Sequence, residues 1–428
     1  MRDIAVTLAV FGSLPFILWR PWLGIIVWTW LGFMNPHRLA WGFSTTMPFA
    51  QIVAITTIVA MIASQEPKKF PWTRETVILL LFVLWMTITT FFAFYPPLAW
   101  FQFEKVIKIQ LMIFVAMLLI NTRYRLDILV WTIVASLAFY GVKGGIFTIL
   151  TGGIHRVRGP ANTFIDGNNE IGLALAMTVP LMYYLYRQSK SRLIRSGLVA
   201  GMVLTAIAAI GTQSRGALVG MAAMSTMLWL RGKQKLMLLV IGGVAAFAIA
   251  QIMPEEWYAR MRTIQHHEGD PAVEGRFAAW REAYEVANTY FMGGGFEVLR
   301  GTDAHSIYFE VLGEHGYVGL SLFLLLGLLT WFSASRIRRH AQRHKETLWL
   351  ADLSRMVQVS MVAYATAGSF LGMAYFDYFY NLVLVVVMSG VVLEKELAAL
   401  TSPTGKETAG AMAVGGPVGV GGSRVRAT

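Results

Sequence analysis

The sequence predicts an all-α, polytopic integral membrane protein, and three observations predict it. Of the 428 residues, 56% are hydrophobic and only 14% charged, where a soluble domain carries about 25% charged residues. Apolar runs approaching the roughly 20 residues that span a bilayer recur along the chain. Between them, short basic loops occur at alternate connections, the pattern that places such loops in the cytoplasm.

The basic loops are Lys68-Lys69 with Arg74, Arg123 with Arg125, Arg187 to Arg195, Arg231 to Lys235, and Arg336 to Lys345. Spans pair up between them: 76–94 with 101–120, 126–150 with 170–186, 194–212 with 214–231, 236–253 with 317–335, and 353–371 with 376–393. A further span, 48–64, runs inward to Lys68. Residues 4–33 read either as one long helix broken at Arg20-Pro21, where proline interrupts the hydrogen-bond ladder, or as two short helices. The single broken helix is the expectation, giving about 12 transmembrane helices and a cytoplasmic N-terminus; two helices would give thirteen. No A-x-A-like cleavage site follows the first segment, so it reads as a retained helix. Residues 1–400 form the transmembrane unit, 254–316 a long external loop with an amphipathic helix around 276–284 and a turn at Gly293-Gly294-Gly295, and 401–428 a disordered cytoplasmic tail.

The chain has no cysteine, which excludes disulfides, thiolate catalysis and Cys-ligated metal. Its net charge of +12 lies mostly in short loops, where it meets lipid headgroups; nucleic acid is not an expected partner. No Asp-x-Asp appears, and arginines can neutralise a pyrophosphate leaving group directly, so neither a metal nor another cofactor is expected.

Ionisable groups stand out on the external side. Arg156, Arg158, Arg215, Arg260, Arg262, Arg276 and Arg300 all lie where the charge rule disfavours arginine. Arg215 sits in a turn with almost no loop, so its forked donor reaches headgroup level and suits a phosphate or pyrophosphate; simple snorkelling to lipid is the alternative. His305 closes the long loop beside a membrane-grade run and is a candidate general base, with Asp303, Glu310, Glu314 and His315 nearby. Glu310 and Glu314 share a helix face. His266-His267 reads as ordinary loop. Lys143, Lys105 and Lys108 fall inside spans, where charge marks function or, for Lys108 with Glu104, a structural pair.

These motifs resemble the bacterial O-antigen ligases, in the superfamily that also holds O-antigen polymerases and related O-oligosaccharyltransferases. The matching pieces are Arg156-Val157-Arg158-Gly159-Pro160 with Asn168-Asn169, Thr212-Gln213-Ser214-Arg215-Gly216, Gly275-Arg276 with Trp280, and His305 through Gly319. The 151–169 loop also looks like a branch of O-glycosylation ligases found beside exopolysaccharide-type sorting systems, which leaves the acceptor open. The resemblance implies a GT-C-like inner-membrane glycosyltransferase with its site facing the periplasm. Its donor would be an undecaprenyl-pyrophosphate-linked glycan and its acceptor lipid A-core. His305 would activate the acceptor hydroxyl. Arg215, with Arg158 and Arg276 or Arg156, would hold the pyrophosphate, and displacement would invert the anomeric centre. Lys143, Glu310, Glu314 and His315 complete the expected substrate-binding set. A polymerase or protein O-oligosaccharyltransferase is the neighbouring alternative. A lipid-linked oligosaccharide flippase is the alternative of another class, disfavoured because the charges cluster on one side and no repeated halves appear.

Overall fold

The computed structural model describes residues 1–231, 255, 271–300 and 303–401. The predicted span 236–253, Arg260, Arg262, His266-His267 and the tail beyond 401 lie outside the described residues. Within them the chain is helical, with no strand. Its α-helices are α1 (Arg2–Trp19), α2 (Trp22–Met34), α3 (Phe49–Ala63), α4 (Arg74–Phe91), α5 (Pro96–Leu119), α6 (Arg123–Leu150), α7 (Asn168–Gln188), α8 (Arg192–Gly211), α9 (Arg215–Arg231), α10 (Pro271–Thr289), α11 (Ile307–Ala341), α12 (Leu348–Ala367) and α13 (Asp377–Thr401). Five of them, α1, α4, α6, α8 and α11, are long and apolar enough to cross a membrane, and α2 and α3 are shorter apolar helices. This is the make-up of a multi-pass helical membrane protein.

Polar contacts sort the connections into two ends. At one end Arg125 forks onto Glu66 (2.8 and 3.0 Å), Arg123 covers the Trp349 ring, Arg187 approaches Asp352 at 3.4 Å, and Lys395 donates to the Asn121 carbonyl. The loops that carry Lys68, Arg123 with Arg125, and Arg187 therefore gather on one side of the bundle, together with the start of α12. The opposite end collects residues 35–47, 151–167, 212–215, 289–300, 303–306 and 368–376.

One expectation is corrected at the start of the chain. Residues 4–33 form two helices rather than a single broken one. Arg20 is non-helical (φ −135°, ψ 89°), and Pro21, which has no N–H to continue the ladder, opens α2. The helices fold back on each other. Asp3 at the head of α1 accepts from Gly42 N, Ser44 N and Ser44 Oγ at 2.8–3.1 Å, beyond the end of α2. The head of α1 thus shares an end with the 35–47 loop.

Among the in-span lysines, Lys108 pairs with Glu104 one turn away, and Lys105 lies over the Phe101 ring at 4.1 Å. Both the lysine and the glutamate of the pair are exposed, so it is a surface contact and not a buried tie.

The most consequential local feature is a break inside α11. Gly316 adopts φ 63°, ψ −169°, dividing the helix into a short arm, residues 307–315, and a long one, residues 317–341. This backbone region is essentially reserved for glycine. The carbonyls released by the break are met from outside the helix. Gly294 N donates to Gly313 O, Gly295 N to Glu314 O (both 2.9 Å), and Trp85 Nε1 to His315 O at 2.8 Å. The predicted glycine turn at 293–295 is therefore the cap of the short arm, with Gly293 and Gly295 both at positive φ.

A side chain at 316 would place Cβ 2.4 Å from the Phe291 carbonyl oxygen, besides occupying a backbone region that costs about 1–3 kcal/mol. Gly316→Ala is expected to lower the thermal unfolding midpoint of the detergent-solubilised protein by several degrees. Gly197→Ala, where nothing lies within 4 Å of the added carbon, should leave it unchanged or raise it, since Ala outranks Gly in helices.

Candidate functional site

The site assembles around the loop that enters α11. Asp303 Oδ1 accepts the His305 backbone N–H at 2.8 Å, a local turn that holds His305 in the left-handed region (φ 48°). The other carboxylate oxygen, Oδ2, lies 3.2 Å from His305 Nδ1. Burial opposes ionisation of Asp303, but hydrogen bonds from the His305 side chain and backbone and from the Gly372 amide hold it below the usual carboxylate range. An anionic partner on Nδ1 fixes the tautomer with hydrogen there and leaves Nε2 as the basic nitrogen. Gly372 is required at this contact, since a Cβ would lie 1.8 Å from Asp303 Oδ1. From above, Trp280 of α10 donates to the Ala304 carbonyl at 2.8 Å and stacks on Phe309 (5.0 Å, 9° between planes).

The second element is the turn between α8 and α9. Gln213 takes φ 55°, and Ser214 Oγ accepts the Ala217 N–H at 3.2 Å, so Arg215 is the first residue of α9. The 151–167 loop is stitched to this turn. Val157 N donates to Gly211 O (3.0 Å), Gln213 Nε2 to Gly153 O (3.0 Å), Arg156 Nε to Gln213 Oε1 (3.3 Å), and Asn168 Nδ2 to Thr212 O (2.9 Å). A small pocket of about 30 Å³ opens here, lined by Asn169, Gln213, Ser214, Arg215, Gly216 and Ala217, with Arg276 of α10 and the Ala367 to Leu371 segment. Two guanidinium groups and the N-terminus of a helix on one pocket make a site for an oxyanion. Arg276 and Trp280 are four residues apart on one face of α10, so a single helix serves both the arginine pocket and the His305 loop.

The third element is a cavity of about 310 Å³ beside Asp303. Its walls include Gln102, Phe164, Glu170, Glu297, Asp303, Glu310, Glu314, Gly372 and Tyr375. Glu310 Oε2 accepts the Ala374 N–H at 2.9 Å. Glu314 accepts the Glu297 N–H at 2.8 Å and the Tyr375 hydroxyl. The two pockets are neighbours along the chain on two separate segments. Asn169 lines one and Glu170 the other; Leu371 lines one and Gly372 the other.

The expected site residues therefore divide. Arg215 and Arg276 meet in one pocket, with Arg156 one hydrogen bond behind it through Gln213. Glu310 and Glu314 line the cavity next to the Asp303–His305 pair. Arg158 is exposed on the 151–167 loop and lines neither pocket. Lys143 is exposed and lines neither as well, because Gly141, Gly144 and Gly145 turn the other face of α6 onto α8 and the 151–167 loop. His315, expected to contact substrate, is fully buried instead, since the helix arm directs it inward. Its Nδ1 bonds Thr89 Oγ1 at 2.7 Å, and its ring packs among Phe82, Phe296 and Tyr375. Sequence reasoning missed Glu170, Glu297 and Tyr375. Of these, only Glu170 carried a usable signal, a carboxylate at the start of an apolar span. Non-glycine residues at positive φ cluster here too: Asn162, Gln213, Glu297, Arg300 and His305, the kind of strain that collects at functional sites. Among the described residues, no group of three or more His, Asp or Glu side chains is arranged to hold a metal ion.

Comparison with known proteins bears on this arrangement. Residues 200–324 match the family model described as O-antigen ligase, and residues 1–190 match one described as a family of unknown function, DUF5935. No curated protein matches the chain. One similar solved chain, from "Structural coordination of polymerization and crosslinking by a peptidoglycan synthase complex", is 14% identical, with 74% of this chain and 95% of that chain covered and a TM-score of 0.40; so distant a likeness carries no argument. The residues that converge at the site, Arg215, Arg276, His305, Glu310 and Glu314, all fall within 200–324, the part of the chain that is similar to the O-antigen ligase family.

Proposed function

We propose that the protein is a multi-pass, GT-C-like glycosyltransferase of the bacterial inner membrane. It would transfer a polysaccharide from undecaprenyl pyrophosphate to a sugar hydroxyl of lipid A-core on the periplasmic side. One observation carries the reading: an oxyanion pocket with two arginines and an Asp-oriented imidazole flank the same two segments, 169–170 and 371–372. That juxtaposition matches the needs of a displacement at an anomeric carbon. The acceptor oxygen attacks C1 of the donor sugar while its proton passes to His305 Nε2. The bond from C1 to the pyrophosphate oxygen breaks, and undecaprenyl pyrophosphate departs with its charge answered by Arg215 and Arg276. Arg156, held through Gln213, adds positive potential behind the pocket, and Arg158 extends it at the surface. A single displacement inverts the anomeric configuration, and because arginine supplies the cationic charge, the step proceeds without a divalent ion.

His305→Ala is expected to reduce transfer by about 10²–10⁴-fold, the usual contribution of a positioned acid–base group, in an assay of purified protein with lipid-linked donor and EDTA present. A normal rate would remove His305 from the reaction, and complete dependence on added metal would remove the arginine-only account of the leaving group. Arg215→Lys retains charge but loses the two-pronged donor, so it should cost about tenfold or more in turnover. Unchanged turnover would leave Arg215 as a lipid anchor. In cells, deletion should accumulate undecaprenyl-linked polymer; loss of chain length with single-unit transfer retained would point to a polymerase instead.

A further inference from the structure

Away from the site, α11 and α12 form an apolar groove of about 220 Å³. Leu324, Gly327, Leu328 and Trp331 of α11 line it, with Met361 and Val362 of α12. Leu324 and Leu328 are 41% and 54% exposed, so the groove opens on the outside of the bundle. The hydroxyls of Tyr308 and Tyr364 in its wall donate to the Ala365 and Met373 carbonyls, which leaves the lining apolar. At Gly327 an added Cβ would meet nothing within 4 Å, so the space above this residue is open. From Leu324 to Trp331 the groove follows about 10 Å of helix, within the roughly 15 Å of one leaflet's hydrocarbon half.

Trp331 ends the groove towards the basic-loop side, and there arginines from three helices gather. Arg231, which closes α9 at the end opposite Arg215, lies over the Trp331 ring at 5.5 Å and donates to Gln358 Oε1 at 3.2 Å. Buried Gln358 in turn donates to the Trp331 carbonyl and to Ser335 Oγ (3.0 and 2.6 Å), tying tryptophan and arginine into one unit. Arg355 of α12 donates to the Arg231 carbonyl at 3.0 Å, and Arg338 of α11 and Arg355 both lie close enough to repel the Arg231 charge. Among the described residues none of the three forms an ion pair with a carboxylate; the one acidic residue of α12, Asp352, is held by Arg187. Like charges held together without a counter-ion favour an anion, and a guanidinium fork fits a phosphate. Snorkelling to bulk headgroups explains arginines at a membrane surface, but not their convergence on the mouth of an apolar groove. We infer that this face holds one anionic phospholipid of the cytoplasmic leaflet, its phosphate on Arg231, Arg338 and Arg355 and an acyl chain along Trp331, Leu328 and Leu324. Basic pockets between transmembrane helices on that side suit such headgroups. The site is independent of the reaction proposed above and needs only that the bundle spans a membrane.

The test is native mass spectrometry of the full-length protein in detergent, delipidated and then titrated with palmitoyl-oleoyl phosphatidylglycerol or phosphatidylethanolamine. A single phosphatidylglycerol should bind about tenfold more tightly than phosphatidylethanolamine, or better. Arg338→Gln, at a side chain that makes no hydrogen bond among the described residues, should weaken it about fivefold, and Arg231→Gln at least as much. Gly327→Leu fills the groove without displacing a neighbour and should abolish retention, whereas Gly197→Leu, equally open but on α8, should not. An unchanged thermal unfolding midpoint shows that the variants are folded. Snorkelling arginines alone would attract phosphatidylglycerol whatever stands at position 327, so full retention by Gly327→Leu overturns the site. Equal binding of the two phospholipids overturns it as well. So does displacement of phosphatidylglycerol by neutral undecaprenol, which would assign the groove to an isoprenoid chain.

Discussion

The site depends on the backbone break at Gly316. In a protein interior an unpaired carbonyl is expensive, because no water is present to satisfy it. A helix can be interrupted there only if other protein groups take over its hydrogen bonds. Gly294, Gly295 and the Trp85 indole do this for Gly313, Glu314 and His315. Satisfying three carbonyls draws the 289–297 segment and α4 against the short arm of α11. The same contacts bring Glu297 to Glu314 and fix the direction in which the short arm presents Glu310 and Glu314. Without the break, α11 would continue straight from the membrane and those carboxylates would have no reason to share a wall with Tyr375.

From this constraint the rest of the site follows in layers. The short arm starts at Ile307, immediately after the turn that Asp303 makes with His305. Asp303 is in turn packed on Gly372, so the loop between α12 and α13 closes the other side. Above, α10 holds the Ala304 carbonyl with Trp280 and delivers Arg276 one helical turn earlier to the arginine pocket. Arginines thus gather on one side of the 371–372 segment and carboxyl groups on the other.

Much of the fold was legible in the sequence, since hydropathy and basic loops are local signals. The observed α4 to α9 and α11 to α13 follow the predicted spans closely, and the Gly293–Gly295 turn and the helix around 276–284 are present. The start of the chain was not legible to the same degree. Pro21 announces an interruption, but whether the chain continues or folds back depends on Asp3 finding Ser44, some forty residues away. The site was legible in part for the same reason. Arg215, Arg276 and His305 are conspicuous because each is a charged or titratable group at a position where composition disfavours it. His315 is just as conspicuous by that measure, and it is core.

What the amino-acid sequence determined by itself was the helical membrane class, the placement of most helices, the sorting of basic loops to one end, and the residue types able to carry anion binding and proton transfer. Periodicity, proline, glycine and charge act over one or two helical turns, so they can be read without knowing what packs against what. Only the tertiary structure decided which of those residues share a space. Glu170 on α7, Glu297 after α10 and Tyr375 before α13 are separated by dozens of residues, and their common cavity exists because a broken helix had to be capped from outside. His315 left the site for the same reason: the arm that presents Glu314 to the cavity turns the next side chain into the aromatic core.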